Sequence, residues 1–180
     1  MAIQLNDNEK AFIKNNKTDL EKNNLKSFYT KLSKQPTHIP LGNISALFLE
    51  IGVDVWKYID SVVDRMFEGA DIEHISIPEG VTKIGAFAFR SCDKLTDVGL
   101  PSTLKKISKG AFVGTNLKQL YLPESVTSIE GDAFDMTDNN PIKISTPRRG
   151  ISNKLFLPKN EIEWYKKHLV FIDNDDNEEE

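Results

Sequence analysis

The residues most able to do chemistry are three histidines and one cysteine, His38, His74, His168 and Cys92. A zinc site needs paired ligands at short, regular spacing, and four isolated residues do not supply them. The sequence also lacks a phosphate-binding loop, a dinucleotide fingerprint and a nucleophile elbow. Cys92 falls in an apolar context, so we expect a small buried thiol. The sequence therefore predicts a protein that is not an enzyme and that uses no metal and no cofactor.

The last eight residues, Asp173 to Glu180, are the most acidic part of the chain. They hold six of the 27 acidic residues, which leaves the rest of the chain close to neutral against 23 basic residues. The segment begins like a calcium-binding loop, but it has no glycine at the sixth position. We therefore expect an acidic solubilising tail.

The composition of the chain favours neither binding to nucleic acid nor insertion into a membrane. Lysines are frequent before residue 35, but acidic residues are interleaved with them, and Arg148-Arg149 is a single pair. No stretch reaches the roughly 20 consecutive apolar residues of a membrane span, and the start lacks the apolar core of a secretory signal. The sequence predicts a cytoplasmic protein.

One aromatic residue returns at a nearly constant interval. Phe67, Phe89, Phe112 and Phe134 are separated by 22, 23 and 22 residues. A fixed period of about 20 to 50 residues is typical of stacked repeats, in which each unit buries its apolar side only against its neighbours. The chain is therefore predicted to stack coils rather than to fold around one centre.

Each repeat has the same apolar columns before its Ala-Phe pair. An alternating pair of apolar residues predicts a short strand with one buried face, and the proline that follows ends it. Gly85 and Gly110 are expected to supply flexible backbone near the Ala-Phe corner. The columns hold Ile72, Ile75, Ile77, Val81, Ile84 and Phe89 in the first clear copy, Leu95, Val98, Leu100, Leu104, Ile107 and Phe112 in the second, and Leu117, Leu120, Leu122, Val126, Ile129 and Phe134 in the third.

The repeat weakens at both ends, as a finite array requires. Upstream, a degenerate unit places Val53, Val55, Ile59 and Val62 in the apolar columns, and Trp56 replaces the proline, which favours partly helical structure. Downstream, the segments Ile144 to Pro147 and Leu155 to Pro158 keep the strand and proline but lack an Ala-Phe corner. We interpret them as closing coils.

This pattern, L-x-x-V-x-L-P-x-x-V-x-x-I-x-x-x-A-F-x-x-C, resembles the BspA-like class of leucine-rich repeats. The resemblance covers about residues 50–158 and is strongest from Ile72 to Phe134. It implies a curved solenoid with parallel strands on its concave side, used mostly to hold other proteins or surfaces, and it supplies no catalytic residues. Members are often secreted or at the cell surface, and this sequence departs from them because it shows no export signal.

The segments outside the array are predicted to be mainly helical. Residues from about Asn8 to Leu32 follow a helical pattern that Asn15-Asn16 could interrupt, and Leu41 to Leu49 forms a second apolar stretch. The helices either cap the open end of the array or dock a partner or a second copy. Glu161 to His168 predicts a short closing helix, and Leu169 to Ile172 predicts a last strand. The expected domains are residues 1–45, 46–158 and 159–180.

The predicted fold is therefore an α+β repeat: a short leucine-rich-repeat solenoid with parallel strands on the concave side and an N-terminal helical cap. Side chains alternate along each strand, so the positions beside the buried ones face outward and form columns across the array. Tyr121 is the strongest single anchor, because a tyrosine offers large area and a hydroxyl. A solvent-facing strand that binds no partner could carry the same residue types. The predicted partner-binding residues are His74, Ser76, Asp97, Gly99, Gln119, Tyr121, Lys143 and Ser145, and the same columns extend to Gly52 and Asp54.

The function predicted from these features is binding of another protein without chemistry. The module would scaffold or block its partner, as a regulator or inhibitor does, for example a viral antagonist of a host protein. The alternative is a structural building block that associates with its own copies through the ends of the array or the helices. The possible partners are therefore another protein or a homo-oligomer.

Overall fold

The computed structural model describes residues 4–22, 24–35, 41–53, 55–58, 60–134, 142–147 and 156–172. The helices are α1 Asp7–Asn15, α2 Lys17–Glu21, α3 Leu25–Leu32, α4 Gly42–Glu50, the 3-10 helix Val55–Tyr58 and α5 Ile162–His168. The strands are β1 Ser61–Val62, β2 His74–Ser76, β3 Lys83–Ile84, β4 Asp97–Gly99, β5 Lys106–Ile107, β6 Gln119–Tyr121, β7 Ser128–Ile129, β8 Lys143–Pro147 and β9 Leu169–Ile172. The predicted parallel-strand solenoid, about four turns long and preceded by helices, is confirmed.

The N-terminal helical segment is interrupted at Asn15-Asn16, as the sequence predicted. Helix α1 begins with a capping box, in which the side chains of Asn6 and Glu9 each accept a hydrogen bond from the other's backbone N–H. Asn16 ends this helix with a non-helical backbone, and its side chain donates to the carbonyl oxygen of Phe12. Helix α3 starts after Asn24, whose side chain accepts from the N–H of Ser27. Short polar side chains at these positions thus set the helix ends.

The same helices bury an aromatic cluster of their own. The ring of Phe28 contacts those of Phe12, Tyr29 and Phe48 at centroid distances of 5.2, 5.6 and 5.8 Å. Two of these contacts are edge-on, which is the arrangement that ring quadrupoles favour. The cluster is continuous with the core of the array, so the apolar core crosses both predicted domain boundaries, at residues 45 and 158. Those boundaries stay a prediction.

Strands β2, β4 and β6 show the predicted alternation. In each, the central residue is buried and the two outer residues are exposed. Parallel pairing joins β2 to β4, and it joins β6 to β8 and β8 to β9. The two groups form separate sheets, since no ladder joins β4 to β6 in this described part of the array.

A second parallel sheet consists of β1, β3, β5 and β7 in that order. Each of its strands has only two residues, and the second residue of each is fully buried: Val62, Ile84, Ile107 and Ile129. The sequence indicated that these residues point inward but did not predict that they pair as strands. The coils that contain β2 to β7 therefore contribute one strand to each side of the core, whereas the first coil contributes only β1.

The four periodic phenylalanines form one continuous stack inside the array. Successive rings lie 5.2, 5.3 and 5.5 Å apart and are parallel to within 5°. None is more than 2% exposed. Trp56 covers the Phe67 end of the stack at 6.3 Å, and Tyr165 covers the Phe134 end at 6.5 Å. The stack is thus closed at both ends by an aromatic residue from outside the repeat.

The two glycines near the Ala-Phe corner act differently from each other. Gly110 has a φ of +64°, as expected for flexible backbone, and a Cβ there would lie 2.5 Å from the ring of Phe87. Gly85 does not have a positive φ, so the prediction of flexible backbone is wrong for it. It is required because a Cβ would lie 2.6 Å from the N–H nitrogen of Asp64 and 2.7 Å from the carbonyl oxygen of Val62.

The left-handed conformation recurs at the same place in the four coils that carry a periodic phenylalanine. Two positions before each phenylalanine, the backbone has φ between 53° and 64°, although only one of the four residues is glycine. Backbone hydrogen bonds between coils hold this corner, such as those from the N–H groups of Phe87 and Phe89 to the carbonyls of Lys109 and Ala111. The four residues are Arg65, Phe87, Gly110 and Asp132.

The closing elements agree with the pattern of the sequence. Helix α5 follows Glu161, and β9 pairs in parallel with β8. The degenerate first unit is helical, as the 3-10 turn that contains Trp56 shows. Other predicted features lie outside the described residues: His38, Asp54, Ile59, the Arg148-Arg149 pair, Leu155 and the tail Asp173 to Glu180.

We expect Phe112→Ala to destabilise the protein by about 3–5 kcal/mol, because it removes the middle of the stack and leaves a cavity. Urea unfolding measures this loss. Phe156→Ala is the matched control, since Phe156 is 69% exposed and its truncation is expected to cost less than about 0.5 kcal/mol. Equal losses for the two variants would contradict the stacked core.

We expect Gly110→Ala to be more destabilising than Gly52→Ala, by about 1 kcal/mol or more. Both glycines have positive φ, but a Cβ at Gly52 meets no atom within 4 Å, whereas one at Gly110 meets the ring of Phe87. The difference between the two thermal or urea unfolding curves isolates the steric term. Similar curves would show that backbone strain alone accounts for the cost.

Candidate protein-binding surface

The predicted partner-binding residues lie together on one side of the array, which we call the strand face. His74 and Asp97 are register partners, as are Ser76 and Gly99, in the β2–β4 sheet. In the next sheet Gln119 pairs with Lys143, and Tyr121 pairs with Ser145. The strand face is defined by His74, Ser76, Asp97, Gly99, Gln119, Tyr121, Lys143 and Ser145.

Seven of these eight residues are exposed, and Ser145 is half-buried. Tyr121 is 50% exposed and is the largest side chain among them. Gly99, one strand away in the same column, leaves a low point in the surface, and a Cβ there would lie 3.2 Å from the Oγ of Ser76. The face therefore offers one aromatic projection beside a shallow region of backbone.

The strand face also includes a residue that sequence reasoning missed. Val170 on β9 is the register partner of Ser145 and is 39% exposed, so it extends the column that contains Tyr121 and Ser145. The sequence predicted the strand from Leu169 to Ile172 but not its register against β8. Only the pairing of β9 with β8 identifies Val170 as a member of the face.

Charge is divided between the two sheets of this face. Asp97 is exposed on the β2–β4 side, and Lys143 is exposed on the β6–β8 side. A partner surface with the opposite division would be attracted in one orientation and repelled in the other. The charges can therefore set orientation, while Tyr121 and Val170 supply apolar area.

The face does not extend to the first unit as predicted. Gly52 lies in the turn after α4 with a φ of +78°, and not on a strand. The prediction that it continues the column is wrong, because the degenerate unit forms a 3-10 helix there instead of a strand. The face therefore begins at β2.

Cys92 is the buried thiol that its apolar column indicated. It is fully buried, and its Sγ donates to the carbonyl oxygen of Phe67 at 2.9 Å. Burial raises the pKa of the thiol to about 12, so it stays protonated at neutral pH. Because the thiolate is the nucleophile, burial disfavours reactivity of Cys92, which packs in the core of the array.

The described histidines are in separate surroundings. His74 is exposed on the strand face, whereas His168 stacks on Trp164 at 4.2 Å, with its Nδ1 2.8 Å from the carbonyl oxygen of the same residue. Within the ranges that the structure describes, no group of three His, Cys, Asp or Glu side chains could hold a metal ion. Over the same ranges, no helix has the length and apolar content to cross a membrane.

Comparison with known proteins identifies the array. The family described as "BspA type Leucine rich repeat region (6 copies)" matches residues 60–166, which is more than half of the chain. The protein belongs to this family. None of the curated proteins matches the sequence significantly.

Solved structures of bacterial proteins are similar to parts of this BspA-type protein. A leucine rich cell surface protein from Faecalibacterium prausnitzii is 31% identical, with 47% of this chain and 22% of that chain covered and a TM-score of 0.43. A leucine-rich repeat protein from Bacteroides capillosus is 26% identical, with 48% and 62% covered and a TM-score of 0.41. The pneumococcal vaccine antigen PcpA is 19% identical, with 65% and 41% covered and a TM-score of 0.34. The chain thus spans about a fifth of the first of these proteins.

The junction between the helices and the BspA-type array is built from buried polar groups. The carboxylate of Glu9 accepts hydrogen bonds from the N–H groups of Asn6 and Asn43, at 2.8 and 2.9 Å. The side chain of Asn43 in turn accepts from the N–H of Asp71 at 2.8 Å. This chain of bonds links α1 to α4 and α4 to the first coil, and it fixes how the helices sit on the array.

A second buried carboxylate lies at the same junction. Glu68 is within 3.9 and 3.6 Å of the guanidinium groups of Arg65 and Arg90, and its own carbonyl oxygen accepts from the N–H of Gly42. Burial raises the pKa of Glu68, and the two arginines oppose that effect. The junction is thus specified by polar geometry as well as by apolar packing.

We expect the stability contributed by Glu9 to increase as the pH falls. Burial raises the pKa of Glu9 above its ordinary value of 4.5, although the N–H groups of Asn6 and Asn43 lower it. The folded protein therefore binds this proton more tightly than the unfolded chain does. The contribution is complete below pH 4.5 and is lost as the pH rises through the folded pKa.

Glu9→Gln removes this titration and keeps a side-chain oxygen as acceptor. The difference in unfolding free energy, parent minus Glu9→Gln, is expected to be larger at pH 4 than at pH 7. Urea unfolding at both values measures it, and the exposed Glu124→Gln serves as control. A difference that shrinks on acidification would contradict the raised pKa.

Proposed function

We propose that the strand face binds another protein, and that the protein acts by occupying its partner rather than by catalysis. The observation that carries this proposal is the column of Tyr121, Ser145 and Val170, in which Tyr121 and Val170 are exposed and Ser145 is half-buried. It lies on a face whose backbone is held by parallel pairing. A surface of this kind is formed before the partner arrives. Binding therefore costs little backbone ordering, which favours affinity.

The composition of the face supports recognition of a protein more than of a small molecule. Tyr121 offers large apolar area with a hydroxyl at its end, as is common at protein interfaces. Asp97 on the β2–β4 side and Lys143 on the β6–β8 side give the two sheets of the face opposite charges. Extended columns across stacked coils match extended surfaces, whereas small ligands favour enclosed pockets.

The consequence of binding would be to scaffold or to block the partner. A role as a regulator or inhibitor, including that of a viral antagonist of a host protein, stays part of this proposal. The proposal includes no chemical step, so the strand face needs no catalytic group. Cytoplasmic location stays a prediction from the sequence, and fractionation of cells that make the protein tests it.

We expect Tyr121→Ala to weaken partner binding by about tenfold or more, as truncation of an interface anchor does. Affinity capture from the native host with the parent and Tyr121→Ala, read by quantitative mass spectrometry, identifies the partners that depend on the face. Phe156→Ala is the matched control, because Phe156 is also an exposed aromatic residue but lies outside the strand face. Purified partner and titration calorimetry then give the ratio of affinities.

Equal recovery of all partners by Tyr121→Ala and the parent would overturn the strand face as the binding site. The helices within residues 1–45 would then become the candidate binding site. Size-exclusion chromatography with light scattering tests the alternative of self-association: a discrete oligomer of the isolated protein would favour it. A monomer that loses its partner on truncation of Tyr121 agrees with the proposal.

A further inference from the structure

A cleft lies where the N-terminal helices meet the first coil of the array. It has a volume of about 520 Å³, which is within the usual range of roughly 300–1,000 Å³ for binding pockets. Its walls come from α3, the 3-10 helix, the start of the array and the turn that follows β2. The residues that line it include Lys26, Trp56, Asp60, Val63, Glu79 and Val81.

The lining combines an apolar part with carboxylates. Trp56, Val63 and Val81 are buried or half-buried, whereas Asp60 and Glu79 are exposed. Lys26 and Thr30 project from the same surface of α3, since they are four residues apart. Among the lining residues that the structure describes, two carboxylates against one ammonium group give a net negative charge.

Glu79 is held in place before any ligand arrives. Its two carboxylate oxygens accept hydrogen bonds from the N–H and the hydroxyl of Ser102, at 2.8 and 2.9 Å. These bonds lower the pKa of Glu79, so it is ionised at neutral pH. A carboxylate has about four acceptor positions, so it can accept further bonds from a cation.

Trp56 connects the cleft with the core of the array. Its ring lies 6.3 Å from that of Phe67, at the end of the phenylalanine stack, and it also lines the cleft. The stack therefore restricts the indole on one side. The indole therefore adds apolar area to the wall of the cleft, and tryptophan is the aromatic residue that attracts cations most strongly.

We propose that this cleft binds a lysine or arginine side chain of a protein partner. Such a side chain has an apolar stem and a cationic head. The stem matches Trp56, Val63 and Val81, and the head matches Asp60 and Glu79. The inference is independent of the strand face, because no residue of that face lines the cleft.

The probe is a blocked tripeptide, acetyl-Gly-Arg-Gly-amide, and the citrulline analogue is its neutral control. The indole N–H resonance of Trp56 in a ¹⁵N-labelled sample reports binding. The chain has two tryptophans, so Trp164→Phe assigns the signal. We expect the arginine peptide to shift the Trp56 resonance in a saturable manner with an affinity on the order of millimolar, and the citrulline peptide to shift it far less.

Asp60→Asn and Glu79→Gln are each expected to weaken binding of the arginine peptide by about threefold, which is typical of an exposed ion pair. Glu124→Gln is the matched control, because Pro123-Glu124 occupies the same repeat position as Pro78-Glu79 two coils further on. It should leave the affinity unchanged, as should Tyr121→Ala. Retention of the tripeptide by Tyr121→Ala separates this site from the strand face.

Three results would overturn the proposal: no saturable shift, equal shifts by the arginine and citrulline peptides, or unchanged affinity in both carboxylate variants. Thermal unfolding of each variant checks that the fold is kept. If one of the two variants is unfolded, the other decides, because each removes one charge from the same cleft.

Discussion

The stacking of four phenylalanine rings is the constraint on which the rest of the structure depends. Rings 5.2 to 5.5 Å apart and nearly parallel leave no room for a coil of different thickness. The spacing is close to the roughly 4.8 Å between hydrogen-bonded strands, so rings and strands repeat together. Each coil must therefore present its ring, its two strands and its corner at fixed places. This requirement explains why the apolar columns repeat in the sequence. Where the repeat ends, Trp56 and Tyr165 cover the two terminal rings of the stack.

The features predicted correctly from the sequence are those that depend on local pattern. The alternation around Ile75, the break at Asn16 and the helical character around Trp56 can each be read from a few neighbouring residues. Repetition adds strength to such patterns, because three copies agree at every column. Exposure of Tyr121 follows from the same alternation. The fold class and most of the strand face could be predicted for this reason.

The features that were missed depend on distances between coils. Gly85 is needed because the preceding coil approaches closely, and Val170 joins the face only through the register of β9. Phe87 adopts a left-handed backbone that its residue type does not suggest, since hydrogen bonds to the next coil hold it there. Periodicity indicates that coils stack but contains no information on contacts between particular atoms of adjacent coils.

The proposed binding surfaces and the core of the array use different residues. The columns that carry the core are the same in every coil, so they cannot distinguish one part of the surface from another. Distinct surfaces arise at exposed positions that vary, such as Tyr121 beside Gly99, and at places where the repeat is broken. Trp56 stands where a proline would otherwise end a strand, and the chain there forms a helix and a cleft. Departures from the repeat are therefore the positions at which both proposed binding surfaces lie.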